Sequence, residues 1–299
     1  MAATPNLVVT PLLAFGEVSL ILFYATVAGF CWFGLLTLYY AVLRKRRAVV
    51  SMFASFAVAV SVTLWMTAAL LTVAGAVNYA TRGFSLSWSF LATVVQAAYV
   101  ASVAFLTLLF LANQWVVRKM FSRYRDLANE EVTRRVNETV DVEELVEEFD
   151  VGEFELLAVD DVEADAHTMV LAKPSLLSPK LGRDVMVVKR PLVEILEPDE
   201  FEAVVAHELA HIESLDARFR PYFEVLGTIY FFDPLVQAIK RSMKRLQEYG
   251  ADDRAVEVTE KPEALARALV KVAEHDYEVN ELGYDVRKRA ERLASSERG

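Results

Sequence analysis

The chain holds a single cysteine, Cys31, among 299 residues, which excludes an intramolecular disulfide and a cysteine-built zinc site. Histidine is almost as scarce, with 4 residues, so two of them at ligand spacing carry weight. The 11 glycines never gather into a phosphate-cradling loop, and no internal repeat or nucleic-acid motif occurs. Basic residues are outnumbered, 31 Lys and Arg against 41 Asp and Glu, for a net charge of −10. That sign argues against nucleic acid as a partner.

What is abundant is apolar. Hydrophobic residues make up 55% of the chain and mean hydropathy is +0.29, despite the net charge; such numbers describe a hybrid of membrane and water-exposed parts. The runs 18–42, 48–77 and 86–117 are nearly free of charge, and each exceeds the ~20 helical residues that span hydrocarbon. Three transmembrane helices are expected, with lipid as a partner. Trp32, Trp65, Trp88 and Trp115 read as interfacial or lipid-facing anchors. Residues 1–17 lack a basic stretch and the following run is too long for a cleaved signal peptide, so the first span is expected to stay. Dense basic clusters fall at Arg44 to Arg47 and at Arg118, Lys119, Arg123 and Arg125, whereas the loop 78–87 has only Arg82. The positive-inside rule then places the N-terminus outside and everything after the third span in the cytoplasm.

Residues 126–165 are rich in Asp and Glu, a solvated surface that begins helically and reaches a strand at 154–158. Residues 183–189, β-branched and bounded by Gly182 and Pro191, form a second strand, a candidate for pairing with extended substrate.

The chemistry concentrates at His207-Glu208-Leu209-Ala210-His211. On a helix, positions i and i+4 lie on one face, so both imidazoles can reach one ion. Glu208 can hold the metal-bound water and take its proton. Asp199 as N-cap with Glu202 three residues on suggests a capping-box start to a helix running to about Asp216. A catalytic zinc needs a third protein ligand and an open position. Glu248, one turn before Asp252 on a second expected helix, is the candidate, with Asp252 or Asp216 accepting the outer N–H of a ligating histidine. The plain alternative is that these carboxylates only pair with Lys244, Arg245 and Arg254 on a solvated helix. Residues 222–239 are mostly apolar but interrupted by Glu224, Asp233 and Pro234. Because His211 and Glu248 flank this stretch and must meet, it cannot make one complete crossing; a core helix or interfacial segment fits better than a re-entrant hairpin.

The segments EILEPDEFEAVVAHELAHIESLD (194–216) and RSMKRLQEYGADDRAVEVTEKPEALARAL (241–269) resemble the HtpX-like and CAAX prenyl endopeptidase family of membrane zinc metallopeptidases. The resemblance covers roughly 151–275. It implies one zinc per chain held by His207, His211 and Glu248, with Glu208 as general base and Asp252 as the aspartate of the family's E-x-x-x-D motif. The chain lacks the Asn-Ala-Phe sequence that many relatives carry before the metal helix, and His275 is followed by Asp276 rather than Pro-Pro. The HExxH followed by aspartate, the Asp233-Pro-Leu-Val236 stretch and three preceding spans also resemble the beta-lactam-sensor antirepressor metallopeptidases.

The expected fold is three transmembrane helices (1–117), a charged helical connector (118–150) and a mainly α-helical zinc-peptidase domain with a small β-sheet (151–299). The expected function is endoproteolysis of membrane-associated or cytosolic polypeptide. An intramembrane protease would place HExxH inside an apolar span and carry Leu-Asp-Gly, which is absent here. The competing reading outside enzymes is a membrane signalling or adaptor protein with a structural zinc and self-cleavage. Tyr249, Arg254 and His275 are open candidates for an oxyanion donor.

Overall fold

The computed structural model describes residues 46–82, 88–151, 154–160, 169–172, 184–275 and 283–296. The first expected span, 18–42, and Cys31 lie outside them. The chain divides into two compact units, Met1–Leu106 and Thr107–Gly299.

Among the described residues, two helices are long and apolar enough to cross a membrane: α1 (Arg46–Arg82) and α2 (Trp88–Asp126). Several of their hydroxyls are turned back onto their own backbones: Ser55 donates to Ser51 O, Thr63 to Ala59 O and Ser102 to Ala98 O, at 2.8 to 2.9 Å. Helical hydrogen bonding thus satisfies groups that lipid cannot. The helix α2 does not end near 117 as expected from hydropathy. Residues 118–126 contain no Pro or Gly, so the helix continues to Asp126 with charged residues on its last turns.

After α2 come two short helices, α3 (Glu130–Thr139) and α4 (Val142–Glu147), then a three-stranded sheet and the helices that carry the site. Asn129 and Asp141 cap α3 and α4 by accepting from backbone N–H groups. The sheet has the order β1 (Phe154–Val159), β3 (Asp184–Lys189), β2 (Met169–Ala172), with β1 parallel and β2 antiparallel to the central β3. All six residues of β3 are buried, because alternate side chains enter two different cores. Ala158, Met186 and Val188 join the main core, while Leu157, Val159, Val185 and Val187 are covered by Met120, Phe121 and Tyr124 at the end of α2. Both backbone edges of β3 are used by its neighbours. It is therefore not the strand that could accept an extended substrate; β1 and the four-residue β2, the latter not recognised in the sequence, are the edge strands among those described, and the outer side of β1 takes an isolated bridge from Ala128 to Val159.

The main core gathers Val132 and Val136 of α3 and Leu145 of α4 around α6 (Pro198–Glu213). The short α5 (Arg190–Ile195) leads into α6. Beyond it, α7 (Asp216–Ile229) and α8 (Pro234–Thr259) form an antiparallel hairpin, followed by α9 (Pro262–His275) and α10 (Gly283–Ser296). The ambiguous apolar stretch 222–239 is thus the end of one helix, a turn and the start of the next. The helix α6 packs against α8 and α9, and α10 packs on α9.

Candidate metal centre

The helix α6 begins two positions earlier than its sequence suggests. Glu197, not Asp199, is the N-cap; its side chain accepts from Glu200 N while Glu200 accepts from Glu197 N at 3.0 Å. Pro198 takes the first helical position, where its missing N–H is harmless. Asp199 and Glu202 instead pair with Arg267 of α9 and with Lys261 just before it, at 2.7 Å each. The helix ends at Glu213, and Leu215 adopts φ 63°, a left-handed turn that costs a leucine about 1–2 kcal/mol. That turn lets Asp216 start α7 and come back to the helix it has just left.

The sequence candidates meet there. His211 Nδ1 lies 3.0 Å from Asp216 Oδ2, and His207 Nδ1 lies 3.0 Å from Asp252 Oδ1. With both Nδ1 atoms turned toward carboxylates, both Nε2 atoms face inward, 3.2 Å apart. Glu248 closes the triangle, with Oε2 3.7 Å from His207 Nε2 and Oε1 4.0 Å from His211 Nε2. His207, His211 and Glu248 each offer one ligand atom within 4.8 Å of the others. A tetrahedral ion with bonds near 2.0–2.1 Å sets its ligand atoms about 3.3 Å apart. A carboxylate beside each Nδ1 favours the tautomer whose Nε2 is a bare lone pair, and two such lone pairs at this separation repel unless a metal ion or a proton lies between them. The donor set fits zinc.

Both histidines are buried, whereas Glu208, on the same helix, is partly exposed. Burial alone would lower the pKa of His211, but the hydrogen bond to Asp216 and the charges of Glu248, Glu208 and Asp216 outweigh it, so the imidazole favours positive charge.

Two arginines that the sequence did not single out complete the site. Arg289 of α10 is buried and donates Nε and Nη2 to the two oxygens of Asp252 at 2.8 and 2.6 Å, and Nη1 to Glu248 Oε2 at 2.6 Å. Arg220 of α7 approaches Glu248 Oε1 at 3.1 Å. Desolvation by itself would raise the pKa of Glu248; Arg289, Arg220 and the two histidines hold the carboxyl well below the usual range instead. Desolvation opposes ionisation at Asp252 as well, and the hydrogen bonds from Arg289 and His207 bring it down to about 2. Both acids are therefore anionic at neutral pH. The same two acids more than offset burial at Arg289, whose pKa is raised. The signal for Arg289 was present only as an Arg-rich amphipathic stretch, 287–292, which ordinarily means a solvated helix.

The alternative pairing of these acids with Lys244, Arg245 and Arg254 is not what the fold makes. Arg254 donates to Glu213 Oε2 at 3.0 Å and to Glu148 O at 2.6 Å, and lies over the Phe149 ring. Of the oxyanion candidates, Arg254 is thus engaged in holding α8 to α6 and α4. Tyr249 lies under the guanidinium of Arg292, and His275 is exposed at the end of α9.

A pair of imidazoles one helical turn apart, closed by a glutamate from a second helix in a chain with membrane-length helices, has the form of the membrane metallopeptidase class. Comparison of sequences gives the family: the chain belongs to the BlaR1 peptidase M56 family, which it matches over residues 18–284. Among curated relatives it is similar to the Protease HtpX homolog of Pyrococcus abyssi, 30% identical over 31% of this chain and 44% of that protein. The Protease HtpX homologs of Aquifex aeolicus and Dictyoglomus thermophilum are 28% and 30% identical, covering 33% and 32% of this chain. Both resemblances drawn from the motifs are thus met, one by the family and one by the relatives. The chain spans less than half the length of these relatives, at 43–45%. No solved structure matches the chain.

Proposed function

We propose that the protein is a membrane-anchored zinc endopeptidase, with 1–117 as its membrane part, 118–150 as a helical connector and 151–299 as its peptidase domain. The observation that carries this reading is the inward pair of Nε2 atoms 3.2 Å apart, closed by Glu248 and backed on Nδ1 by Asp252 and Asp216. One zinc ion held by His207, His211 and Glu248 would acidify a water and polarise the scissile carbonyl. The protein's own residues do the rest. Glu208 takes a proton on its carboxylate and returns it to the leaving amine. Asp252 and Asp216 keep each imidazole in the ligating tautomer. Arg289 holds Glu248 and Asp252 ionised and in place. An extended polypeptide would pair along β2, which lies beside α6 and α7. The basic clusters put the N-terminus outside and this centre in the cytoplasm; cysteine labelling in intact cells, with Cys31 replaced, is expected to reach position 85 and not position 296.

The test is zinc content together with casein cleavage by the purified chain, with and without a chelator. Glu208→Gln is expected to keep its zinc and to lose roughly 10²- to 10⁴-fold in turnover. Loss of zinc in this variant, or turnover within about threefold of the parent, would remove Glu208 from the role. Stoichiometric zinc with no chelator-sensitive cleavage in the parent would instead favour a structural metal in a signalling protein.

A further inference from the structure

The tip of the α7–α8 hairpin exposes what a water-soluble surface hides. Phe231 is 76% and Phe232 51% exposed, and Val225, Ile229 and Leu235 beside them are exposed as well. Between 225 and 239 the only charged residue is Asp233, and it is buried. Its carboxylate accepts from Leu235 N and Val236 N, at 2.8 and 3.3 Å, capping the start of α8. Gln237 does the same for the other arm, donating to Gly227 O at 2.6 Å and Tyr230 O at 3.1 Å. The arms are locked together: a Cβ on Gly227 would meet Lys240 Cδ at 2.4 Å, and Lys240 in turn pairs with Glu224 at 2.7 Å. The hairpin thus offers an aromatic, uncharged tip whose chain ends are capped from within, the requirement for backbone placed against hydrocarbon.

Charge reappears in a fixed order. Moving up the exposed face of α8 from Leu235, the first cations are Arg241 and Arg245, about 9 and 15 Å along the helix axis at 1.5 Å per residue. The headgroup layer of one leaflet is roughly 5–7 Å thick. A tip seated at the hydrocarbon boundary, with α8 rising from the membrane, therefore sets the backbone of Arg241 just above the headgroup layer, from which its long side chain reaches back to anionic headgroups.

We propose that residues 229–235 dock into the interface of an anionic lipid bilayer, as a second membrane attachment besides the spanning helices. The helix α7, 14 residues from Asp216 beside His211 to Ile229, then acts as a strut of about 20 Å. It holds the metal centre close above the membrane surface, which, on the proteolytic reading, selects substrate segments just outside the bilayer.

The test uses the full chain carrying Cys31→Ser, reconstituted in nanodiscs of phosphatidylcholine and phosphatidylglycerol. A fluorophore is attached in turn through Phe231→Cys and, as a control at the far end of α8, through Glu257→Cys. Doxyl groups on the acyl chains are expected to quench the label at 231 at least threefold more strongly than the label at 257. Leu235→Cys gives a second reading should Phe231→Cys disturb the turn. Arg241→Gln combined with Arg245→Gln is expected to weaken the quenching at 231 in the anionic discs. Equal quenching at 231 and 257 overturns the proposal. So does a 231-to-231 cross-link between copies in the absence of lipid quenching, which would assign the patch to a second copy of the chain. No readout involves turnover, so failure here and failure of the peptidase reading remain distinct.

Discussion

Between Ala48 and Val77 the helix α1 leaves Phe53, Leu64, Trp65, Val73 and Val77 exposed, whereas α6 buries 11 of its 16 residues, among them Glu200, His207 and His211. A helix that lipid will cover needs apolar side chains of any shape and hydroxyls that bond their own backbone. A helix buried in protein can carry charge, provided that each charged group finds partners on other elements. Glu200 finds Arg267 and Lys271; His207 finds Asp252; His211 finds Asp216; and Arg289 ties the acids of α8 in turn. The difference explains why one helix is tolerant and the other is not.

Arg289 is where that contrast is sharpest. Replacing it by methionine keeps much of the volume but takes from buried Asp252 its two-pronged partner and leaves Glu248 with Arg220 as its one cationic arginine among the described residues, so destabilisation of about 3–5 kcal/mol is expected. The i,i+4 pair Arg134–Glu138, more than two-thirds exposed on both sides, serves as the reference, with an expected loss of about 0–1 kcal/mol for Arg134→Met. Denaturant midpoints of the two variants check the ordering, and equal losses would mean that Arg289 is solvated in solution.

The packed apolar part of α6 gives the next effect. Leu209 is fully buried in the main core, and Leu209→Ala is expected to cost about 2–5 kcal/mol, through lost burial and the cavity left behind. Calorimetry of the variant measures it.

Legibility in the sequence followed the range of each interaction. The HExxH pair is local, four residues on one helix face, and could be read directly; so could the two described apolar spans, because lipid asks only for length and hydropathy. Glu248 was reachable by its own one-turn spacing to Asp252. Arg289 was not: it lies 41 residues from Glu248, and nothing in its neighbourhood distinguishes a buried cation from a solvated one. The N-cap was misplaced by two positions because glutamate is not among the preferred capping residues, although Pro198 marked the start correctly. The strand β2 has only four residues, too few for alternation to register. Without it the central β3 passed for an available edge.

Acid should expose the same contrast through titration. Asp252 and Glu248 have lowered pKa values, so the stability they contribute is complete above the ordinary carboxylate range and is lost as pH falls through their folded values. For Asp252, which falls from 3.8 to about 2, the linked stability is about 2 kcal/mol. The metal-free protein is therefore expected to lose stability between about pH 4 and pH 2, and Arg289→Met should move the onset to higher pH. His211 works in the opposite sense: with a raised pKa, it contributes below its unfolded value near pH 6.5 and the contribution fades as pH rises through the folded one. Urea midpoints across the pH range separate the two.

The smallest effect belongs to α1. Leu64 is 66% exposed and lies inside the apolar window Ala48–Val77, where lipid rather than protein is expected to surround it. Removing its branch takes the same contacts with acyl chains from the folded and the membrane-inserted unfolded states, so the difference nearly cancels. Leu64→Ala is expected to change stability by no more than about 0.5 kcal/mol, against the several kcal/mol expected of the same substitution at Leu209. Thermal melts of both variants in one detergent make the comparison direct. A loss at Leu64 approaching that at Leu209 would show that a protein surface, not lipid, covers this face of α1, and the contrast between a lipid-bathed and a protein-buried helix would fail at that position.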